Sequence, residues 1–143
     1  MILRIYPQNP AEREIRRVVE ALERDGVVVY PTDSVYAYGC SLRSARGLER
    51  LRQLSRKTIG VRIPDNAIPR AIVEQLGCPL ITASLKSDDD AEYMTDPELI
   101  HERYGREVAL VVDGGYGSIV PTTVVDLTQE EPEIVRQGAA ELN

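Results

Sequence analysis

The sequence predicts an α+β fold, close to the α/β class, in which helices flank a twisted mixed β-sheet. Helical and strand patterns alternate through the first part of the chain, whereas short strand patterns crowd its C-terminal part. Alternation places helices against a sheet, and consecutive strands favour antiparallel neighbours, so the two patterns together indicate a mixed sheet. With 143 residues, 43% of them hydrophobic and 28% charged, we expect a single domain spanning residues 1–143.

The first predicted helix starts at Asn9 and Pro10 and ends at Gly26. Asn is a good N-cap, Pro suits the first helical position, and glycine commonly follows the last turn. Four apolar residues share one face of this helix: Ile15, Val18, Val19 and Leu22. The β-branched run Val27–Tyr30 then predicts a buried strand.

The remaining elements follow from the same rules. Leucines three residues apart (Leu48, Leu51, Leu54) predict a second helix, and Asp96-Pro97 opens a later helix that Gly105 ends. A further helix is predicted over Ala67–Leu76, before Gly77. Strands are predicted at Thr58–Ile63, Leu80–Ser84, Val108–Val112, Thr122–Asp126 and Glu133–Arg136.

Charge is distributed unevenly along the chain. The net charge of −6 counts against indiscriminate nucleic-acid binding, but residues 41–70 hold eight basic residues against two acidic ones. Residues 87–107 show the reverse, with eight acids against two arginines. Such a chain can hold a basic cleft for an anion, or it can simply present two solvated helix faces of opposite sign.

Several classes of protein are excluded or disfavoured. No apolar run reaches the length of a bilayer span and the N-terminus lacks a signal-peptide pattern, so we expect no membrane partner. Cys40 and Cys78 lack metal-ligand spacing, and we expect buried, reduced thiols in the cytoplasm and no metal site. No catalytic triad, Walker A loop or dinucleotide-binding fingerprint is present.

Hydroxyl residues stand where predicted strands end. Pro31-Thr32-Asp33-Ser34 follows the strand Val27–Tyr30, and Thr82 and Ser84 close another strand. Side chains of this kind at strand ends suit a polar ligand. For the first motif the alternative is an ordinary turn stabilised by Ser, Thr or Asp side chains. The acidic run Asp88-Asp89-Asp90 suits either magnesium or a solvated loop.

Arg62 is the basic residue of most interest. It lies between apolar residues in a predicted strand, where a guanidinium is costly to bury unless it meets a carboxylate or phosphate. The alternative is a partly exposed arginine of an edge strand. Lys57 directly precedes this predicted strand, so its side chain would lie either on the face opposite to Arg62 or at the start of the strand.

Taken together, four ordered motifs resemble the YrdC/YciO-type threonylcarbamoyl-adenylate synthase family, closest to its YciO branch. The motifs are VVVYPTDSVYAYGC, KTIGVRIPDN, PLITAS, and GGYGSIVPTTVVDLT followed by IVRQG. The resemblance implies a YrdC-like domain with a concave basic surface. It also implies a nucleotidyltransferase that joins ATP, threonine and bicarbonate into threonylcarbamoyl-AMP, releasing pyrophosphate, for the threonylcarbamoyladenosine modification of tRNA.

The resemblance also implies roles for particular residues. Thr32, Arg62 and Thr122 would bind threonine or a similar small acid, with Arg62 on its carboxylate. Thr82, Ser84 and Arg136 would bind ATP, and Mg²⁺ is expected on the triphosphate. We expect Lys57 and Arg62 to be the catalytic residues, because adenylation needs positioning and cationic stabilisation more than a nucleophile.

A second function is compatible with the same resemblance. Family members have been described as binding double-stranded RNA, and the basic residues Arg50, Arg52 and Arg56 would then contact tRNA or duplex RNA without catalysis. A third possibility is a remnant that folds but does neither.

The sequence departs from the family pattern in one large respect. Between Ser55 and Arg56 we expect several dozen further residues that supply a helix pair, a core strand and aromatic side chains. Phe and Trp are both absent from the chain. Either the chain is truly shortened here, or an internal segment of the protein is absent from this sequence; the unpaired gap that a lost core strand would leave favours the second. A true deletion would weaken the case for catalysis.

Overall fold

A five-stranded mixed sheet forms the centre of the computed structural model, which describes residues 1–46, 49, 61–85 and 90–141. A separate two-stranded sheet follows near the C-terminus of that described part. The elements in chain order are β1 (Ile2–Arg4), α1 (Glu12–Glu23), β2 (Val28–Tyr30), β3 (Ala37–Ser41), α2 (Ala67–Leu76), β4 (Leu80–Ser84), α3 (Glu92–Thr95), α4 (Pro97–Tyr104), β5 (Leu110–Asp113), β6 (Val124–Asp126) and β7 (Glu133–Arg136).

The central sheet has the strand order β1-β5-β2-β3-β4. β5 pairs in parallel with both β1 and β2, whereas β2, β3 and β4 pair antiparallel. Parallel neighbours need a long crossover, and α1 lies in the connection between β1 and β2. The predicted twisted mixed sheet with flanking helices is therefore confirmed.

Helices cover the sheet on two faces because successive strand residues point to opposite sides. On one face, Val28 and Tyr30 belong to a core shared with buried residues of α1 and α2, such as Leu22 and Ile72. On the other face, Val29 packs in a core that includes Ile100 of α4 and further residues. The β2 strand is buried on both faces, as its β-branched composition predicts.

Capping residues set both ends of α2 and the start of α4. The Asn66 side chain accepts a hydrogen bond from the backbone N–H of Ile68 at the start of α2, and Gly77 ends it in the left-handed conformation. The Asp96 side chain accepts from the N–H of Glu98 at the start of α4. The predictions for Ala67–Leu76 and for the helix between Asp96 and Gly105 are therefore confirmed.

The predicted start of the first helix was two residues too early. The helix begins at Glu12, and its N-cap Ala11 has no side-chain cap bond. Asn9 belongs instead to a turn, in which its N–H donates to the carbonyl of Tyr6 at 3.1 Å. A competing local turn therefore uses the residues that would otherwise have capped the helix.

The strand predicted at Thr58–Ile63 was wrong for its described part, because residues 61–63 form no strand. A β-branched pattern needs a partner strand to complete its hydrogen bonds, and no strand of the described residues pairs with these. Sequence patterns missed β1, β3 and α3, and the helix predicted around Leu51 lies mostly outside the described residues. Within the described ranges, no helix is long and apolar enough to cross a membrane.

Both cysteines are free, but only Cys40 is buried. Cys78 is partly exposed, because it follows the end of α2, and its Sγ lies 3.3 Å from Ser41 Oγ. The expectation of two buried thiols is correct for the first and wrong for the second.

Candidate functional site at the end of strand β2

Thr32 lies buried just after the end of β2, where backbone contacts hold its side chain in place. Its hydroxyl donates to the carbonyl of Val35 at 2.8 Å and accepts from the N–H of Ser34 at 3.0 Å. This is the Ser/Thr-stabilised turn that the sequence offered as an alternative. The turn fixes the position of the Thr32 hydroxyl, which also contacts a basic side chain. A turn and a ligand site can therefore both be present at this strand end.

Arg62 is that cation. Its Nη2 lies 3.4 Å from Thr32 Oγ1, and the same nitrogen forms an ion pair with Asp33. About a third of each side chain in this pair is exposed, with 36% for Arg62 and 29% for Asp33. Arg62 therefore reaches the end of β2 from an irregular segment rather than from a strand, and its guanidinium, paired with Asp33, is partly exposed to solvent.

Asn66 connects this strand end to helix α2. Its Nδ2 donates to the Thr32 carbonyl at 3.3 Å while its Oδ1 caps the helix through Ile68. The same amide therefore positions the helix start and the backbone that carries Thr32. Sequence reasoning missed Asn66 as a residue of this site; its position as the N-cap before Ala67 was the available signal.

Tyr30, at the end of β2, links this site to Thr82 of β4. The strand register sets Tyr30 beside Ala37 on β3, and Thr82 of β4 lies opposite Gly39. The Tyr30 ring lies over Gly39, where an added Cβ would come within 2.6 Å of the ring carbon Cε1. A side-chain hydrogen bond then joins the Tyr30 hydroxyl to Thr82. Because glycine has no Cβ, position 39 leaves the space that the Tyr30 ring occupies.

The Tyr30 hydroxyl is protonated at neutral pH. Burial raises the pKa of Tyr30 to about 12, although the hydrogen bond with Thr82 and the charge of Arg62 act in the opposite direction. Sequence reasoning missed this residue, since its link to Thr82 depends on the pairing of three strands.

Thr122 and Arg136 form a second cluster on the small sheet. Arg136 Nε donates to the Thr122 carbonyl at 3.0 Å, and Nη2 lies 3.4 Å from its hydroxyl. No hydrogen bond or ion pair of the described residues joins this cluster directly to Thr32 or Arg62. The two are connected through Ser34, whose Oγ donates to the Val120 carbonyl at 2.7 Å.

The remaining predicted site residues divide into two groups. Ser84 is exposed at the end of β4, opposite Ala37, and carries no contact that assigns it a role. The others lie outside the described residues: Lys57, Arg50, Arg52 and Arg56.

The described residues fit an anion better than a bare metal ion. Arg62 and Arg136 offer guanidinium groups, and threonine hydroxyls lie beside both. Within the described ranges, no group of three His, Cys, Asp or Glu side chains could hold a metal ion. Asp88 and Asp89 lie outside those ranges, so the magnesium hypothesis for this run stays a prediction.

A cavity of about 510 Å³ lies elsewhere, lined by Asp90, Tyr93, Glu102 and Arg103. The Arg103 guanidinium stands 5.0 Å from the centre of the Tyr93 ring, so an aromatic ring already contacts that cation. We place the site at the end of β2, where fixed polar groups from several elements converge.

Comparison with known proteins agrees with the resemblance seen in the sequence. The family model for Sua5, YciO and YrdC, described as "Telomere recombination", matches residues 20–57 and 53–138. The uncharacterized protein YciO of Escherichia coli K12 is 32% identical over 196 positions, covering 96% of this chain and 95% of the relative. An uncharacterized protein of Haemophilus influenzae Rd is 32% identical, with 94% of each covered.

Solved structures agree on the fold. The crystal structure of E. coli YciO superposes with a TM-score of 0.87 at 30% identity, covering 99% of this chain and 97% of that one. Sua5 of P. abyssi, solved in complex with L-threonine, gives a TM-score of 0.76 at 18% identity, covering 96% of this chain and 57% of that one.

The comparisons also bear on the expected internal gap. The alignments extend over 196 and 194 positions although the chain has 143 residues, so the relatives hold a stretch without counterpart here. The two matched segments of the family model meet at residues 53–57, where the gap was expected. With its family model, its relatives and its fold in agreement, this chain belongs to the Sua5/YciO/YrdC family.

Proposed function

We propose that this protein is a nucleotidyltransferase of the threonylcarbamoyl-adenylate synthase type, acting in the formation of threonylcarbamoyladenosine in tRNA. Threonine and bicarbonate form a carbamate with loss of water. A carbamate oxygen then attacks the α-phosphorus of ATP, and the bond to pyrophosphate breaks. The observation that carries the proposal is the convergence of Arg62, Asp33 and Thr32 at the end of β2.

Arg62 would bind the carboxylate of threonine. A guanidinium suits a planar carboxylate, and this one lies beside a fixed hydroxyl at an exposed strand end. The structure of P. abyssi Sua5 was solved in complex with L-threonine, which is consistent with an amino acid at this position. Thr32 would mainly orient the ligand, because its hydroxyl already serves the turn.

The nucleotide would lie along β4 and the small sheet. Thr82 and Ser84 are exposed on β4, and Arg136 with Thr122 offers a cation beside a hydroxyl for phosphate oxygens. We place Mg²⁺ on the triphosphate, since this ion is commonly held by substrate phosphates with few protein carboxylates. Lys57, by its position in the sequence, would neutralise phosphate charge.

The first test is binding of L-threonine by isothermal titration to the unaltered chain and to Arg62→Ala. Hydrogen bonds to charged groups contribute about 2 kcal/mol, so we expect Kd to rise roughly 30-fold. Arg70→Ala, an exposed arginine on α2, is the matched control and should leave Kd unchanged. Equal affinity of Arg62→Ala and the unaltered chain would overturn the assignment of Arg62.

The second test is pyrophosphate release with ATP, threonine and bicarbonate. Release that requires all three substrates supports the synthase; threonine binding without release would leave a ligand-binding protein and overturn the catalytic part of the proposal.

Binding of duplex RNA through Arg50, Arg52 and Arg56 stays a prediction, since these residues lie outside the described part of the structure. If it occurs, the affinity should fall steeply with salt and weaken in the triple Ala variant.

A further inference from the structure

Strand β1 forms one edge of the central sheet, and no strand of the described residues pairs with its outer side. Its pairing with β5 uses alternate residues. The Met1 carbonyl accepts from a β5 N–H at 2.9 Å, and the Ile5 N–H donates to a β5 carbonyl at 2.7 Å. Neighbouring residues of a strand direct their backbone groups to opposite sides. The N–H and C=O groups of Ile2 and Arg4 therefore point outward from the sheet.

The side chains along this edge expose apolar surface. Because side chains alternate between the two faces, Ile2, Arg4 and Tyr6 share one face, and Leu3 is buried on the other. Ile2 is 37% exposed and Tyr6 is 66% exposed. Of the devices that keep edge strands from pairing with other chains, β1 has only its short length and the charge of Arg4.

The charge of Arg4 is already balanced within the chain. Its Nε donates to Asp113 Oδ2 at 2.7 Å, and the Asp113 side chain is only 6% exposed. The same carboxylate accepts from the N–H of Gly115 at 3.0 Å, so it is held in place from two sides. The ion pair fixes the guanidinium and leaves the aliphatic part of Arg4 to extend the apolar surface between Ile2 and Tyr6.

The other edge of the sheet, β4, offers no equivalent case. It ends beside residues 86–89, which lie outside the described part of the chain, and it carries Thr82 and Ser84 of the candidate nucleotide site. Strands β5, β2 and β3 lie between β1 and β4. An association through β1 therefore leaves the candidate site accessible.

A second copy of this chain complements the β1 edge in one antiparallel register. With Leu3 opposite Leu3 on a two-fold axis, Ile2 of each copy lies opposite Arg4 of the other copy. Both residues direct N–H and C=O outward, so each of the two equivalent pairs forms two hydrogen bonds. Like charges do not stand directly opposite each other, because each Arg4 faces an isoleucine. Tyr6 lies diagonal to Ile2 of the other copy, within reach of an aromatic side chain.

We propose that the protein forms a two-fold symmetric dimer in which the β1 strands of two copies pair antiparallel and join the two five-stranded sheets into one. The self-complementary register between Ile2 and Arg4 carries the proposal. Because β1 is short, the interface is small and association is weak, with a Kd on the order of 100 μM. The proposal concerns assembly and stands whether or not the protein is a synthase.

The first measurement is analytical ultracentrifugation of the unaltered chain, with no residues added before Met1, from about 5 μM to about 1 mM. We expect the monomer to convert to a dimer over this range. A monomer at every concentration would overturn the proposal.

Two substitutions at Ile2 test the register. Ile2→Lys places a second cation opposite each Arg4 and should raise the dimer Kd roughly tenfold, whereas Ile2→Glu places an anion there and should lower it by a similar factor. Val73 on α2 is the matched control, because its exposure of 36% is close to the 37% of Ile2. Val73→Lys and Val73→Glu report the effect of net charge and should leave Kd nearly unchanged. Equal Kd values for the two Ile2 variants would show that the copies do not meet in this register, and the proposal would be wrong.

A backbone variant tests the hydrogen bonds directly. Ile2→Pro removes an outward N–H and is compatible with the first residue of an edge strand, so the chain should fold and remain monomeric. Ile2→Val keeps the donor and should still dimerise.

Hydrogen exchange of the unaltered chain gives the same test if Ile2→Pro does not fold. The amides of Ile2 and Arg4 should exchange roughly fivefold more slowly at about 1 mM than at about 5 μM, because about one fifth of the chains remain monomeric at the higher concentration. A dimer in which these two amides exchange equally fast at both concentrations uses another surface, and the proposal is then wrong.

Discussion

At the scale of single residues, the ion pair between Asp33 and Arg62 is the contact of the candidate site that a ligand would break most readily. The backbone of the strand end is fixed by hydrogen bonds of Thr32, Ser34 and Asn66. The Asp33 side chain, in contrast, is tied to the described residues by its ion pair with Arg62. An ion pair that is about one-third exposed contributes little to stability. Asp33 therefore occupies the guanidinium that a ligand carboxylate would bind, at a small energetic cost to displace.

Replacement of Asp33 by Asn should strengthen binding of L-threonine. The pair is worth at most about 1 kcal/mol at this exposure, so we expect Kd to fall by up to roughly fivefold. Titration calorimetry at constant pH measures the change. Asp65→Asn, an exposed carboxylate nearby in the sequence, should leave Kd unaltered. Weaker binding by Asp33→Asn would instead mean that Asp33 contacts the ligand directly.

Gly39→Ala should destabilise the protein through the Tyr30 ring. The new Cβ would lie 2.6 Å from Tyr30 Cε1, so the ring has to move away from Thr82. Overpacking of this kind costs about 1–3 kcal/mol, which urea denaturation resolves. Tyr30→Phe keeps the ring and removes only the hydroxyl, so it should cost less. Equal stability of Gly39→Ala and the unaltered chain would contradict the close approach.

At the scale of elements, helices α2 and α4 offer a matched pair of N-caps. Asn66 and Asp96 each accept a hydrogen bond from a backbone N–H two residues later. Substitution of either by Ala should cost about 1 kcal/mol of unfolding free energy. Only Asn66 also donates to the Thr32 carbonyl. Asn66→Ala should therefore weaken threonine binding as well, whereas Asp96→Ala should not.

Asn66→Asp refines this test, because Asp retains the cap and loses the amide donor. We expect near-normal thermal stability with weakened threonine binding. If both Ala variants change Kd alike, the effect reflects stability in general rather than the contact with Thr32.

The same elements show how far sequence reasoning reaches. The bounds of α2 and the capping of α4 follow from Asn66, Gly77 and Asp96, whose effects are local, and they were predicted. Strand β3 was missed because its sequence, Ala-Tyr-Gly-Cys-Ser, has no β-branched run; its pairing with β2 and β4 stabilises it. The sites assigned to hydroxyl residues at strand ends stay predictions, and the link from Tyr30 to Thr82 depends on tertiary register, which no local pattern contains.

At the scale of the whole molecule, Ser34 connects the two halves of the candidate site. Its carbonyl accepts from the N–H of Ser118 at 3.1 Å, while its hydroxyl donates to Val120. The chain then continues through Thr122 into β6. Ser34 therefore ties the turn after β2 to the segment that leads into the small sheet.

Two buried tyrosines, Tyr30 and Tyr36, and the half-buried Tyr38 of β3 should make the whole fold sensitive to alkali. Burial raises the pKa of Tyr30 to about 12 and raises the pKa values of Tyr36 and Tyr38 as well. In the unfolded chain these hydroxyls ionise near pH 10, so above that pH the unfolded state loses protons first. The stability that these raised pKa values contribute to the folded state is thus fully present below pH 10, and it declines as the pH rises towards 12.

We expect Tm to fall between pH 10 and 12, measured by circular dichroism, and to fall less steeply in Tyr30→Phe, which removes one of the shifted groups. Tyr116→Phe is the matched control, since Tyr116 is 83% exposed and should leave the slope unchanged. Tyr36 connects this effect to the fold, because its hydroxyl donates to the Gly115 carbonyl at 2.7 Å and accepts from the Gly114 N–H at 3.1 Å. Ionisation removes the donor of the first bond and leaves the carbonyl unpaired. An identical slope for Tyr30→Phe and the unaltered chain would mean that other groups control alkaline unfolding.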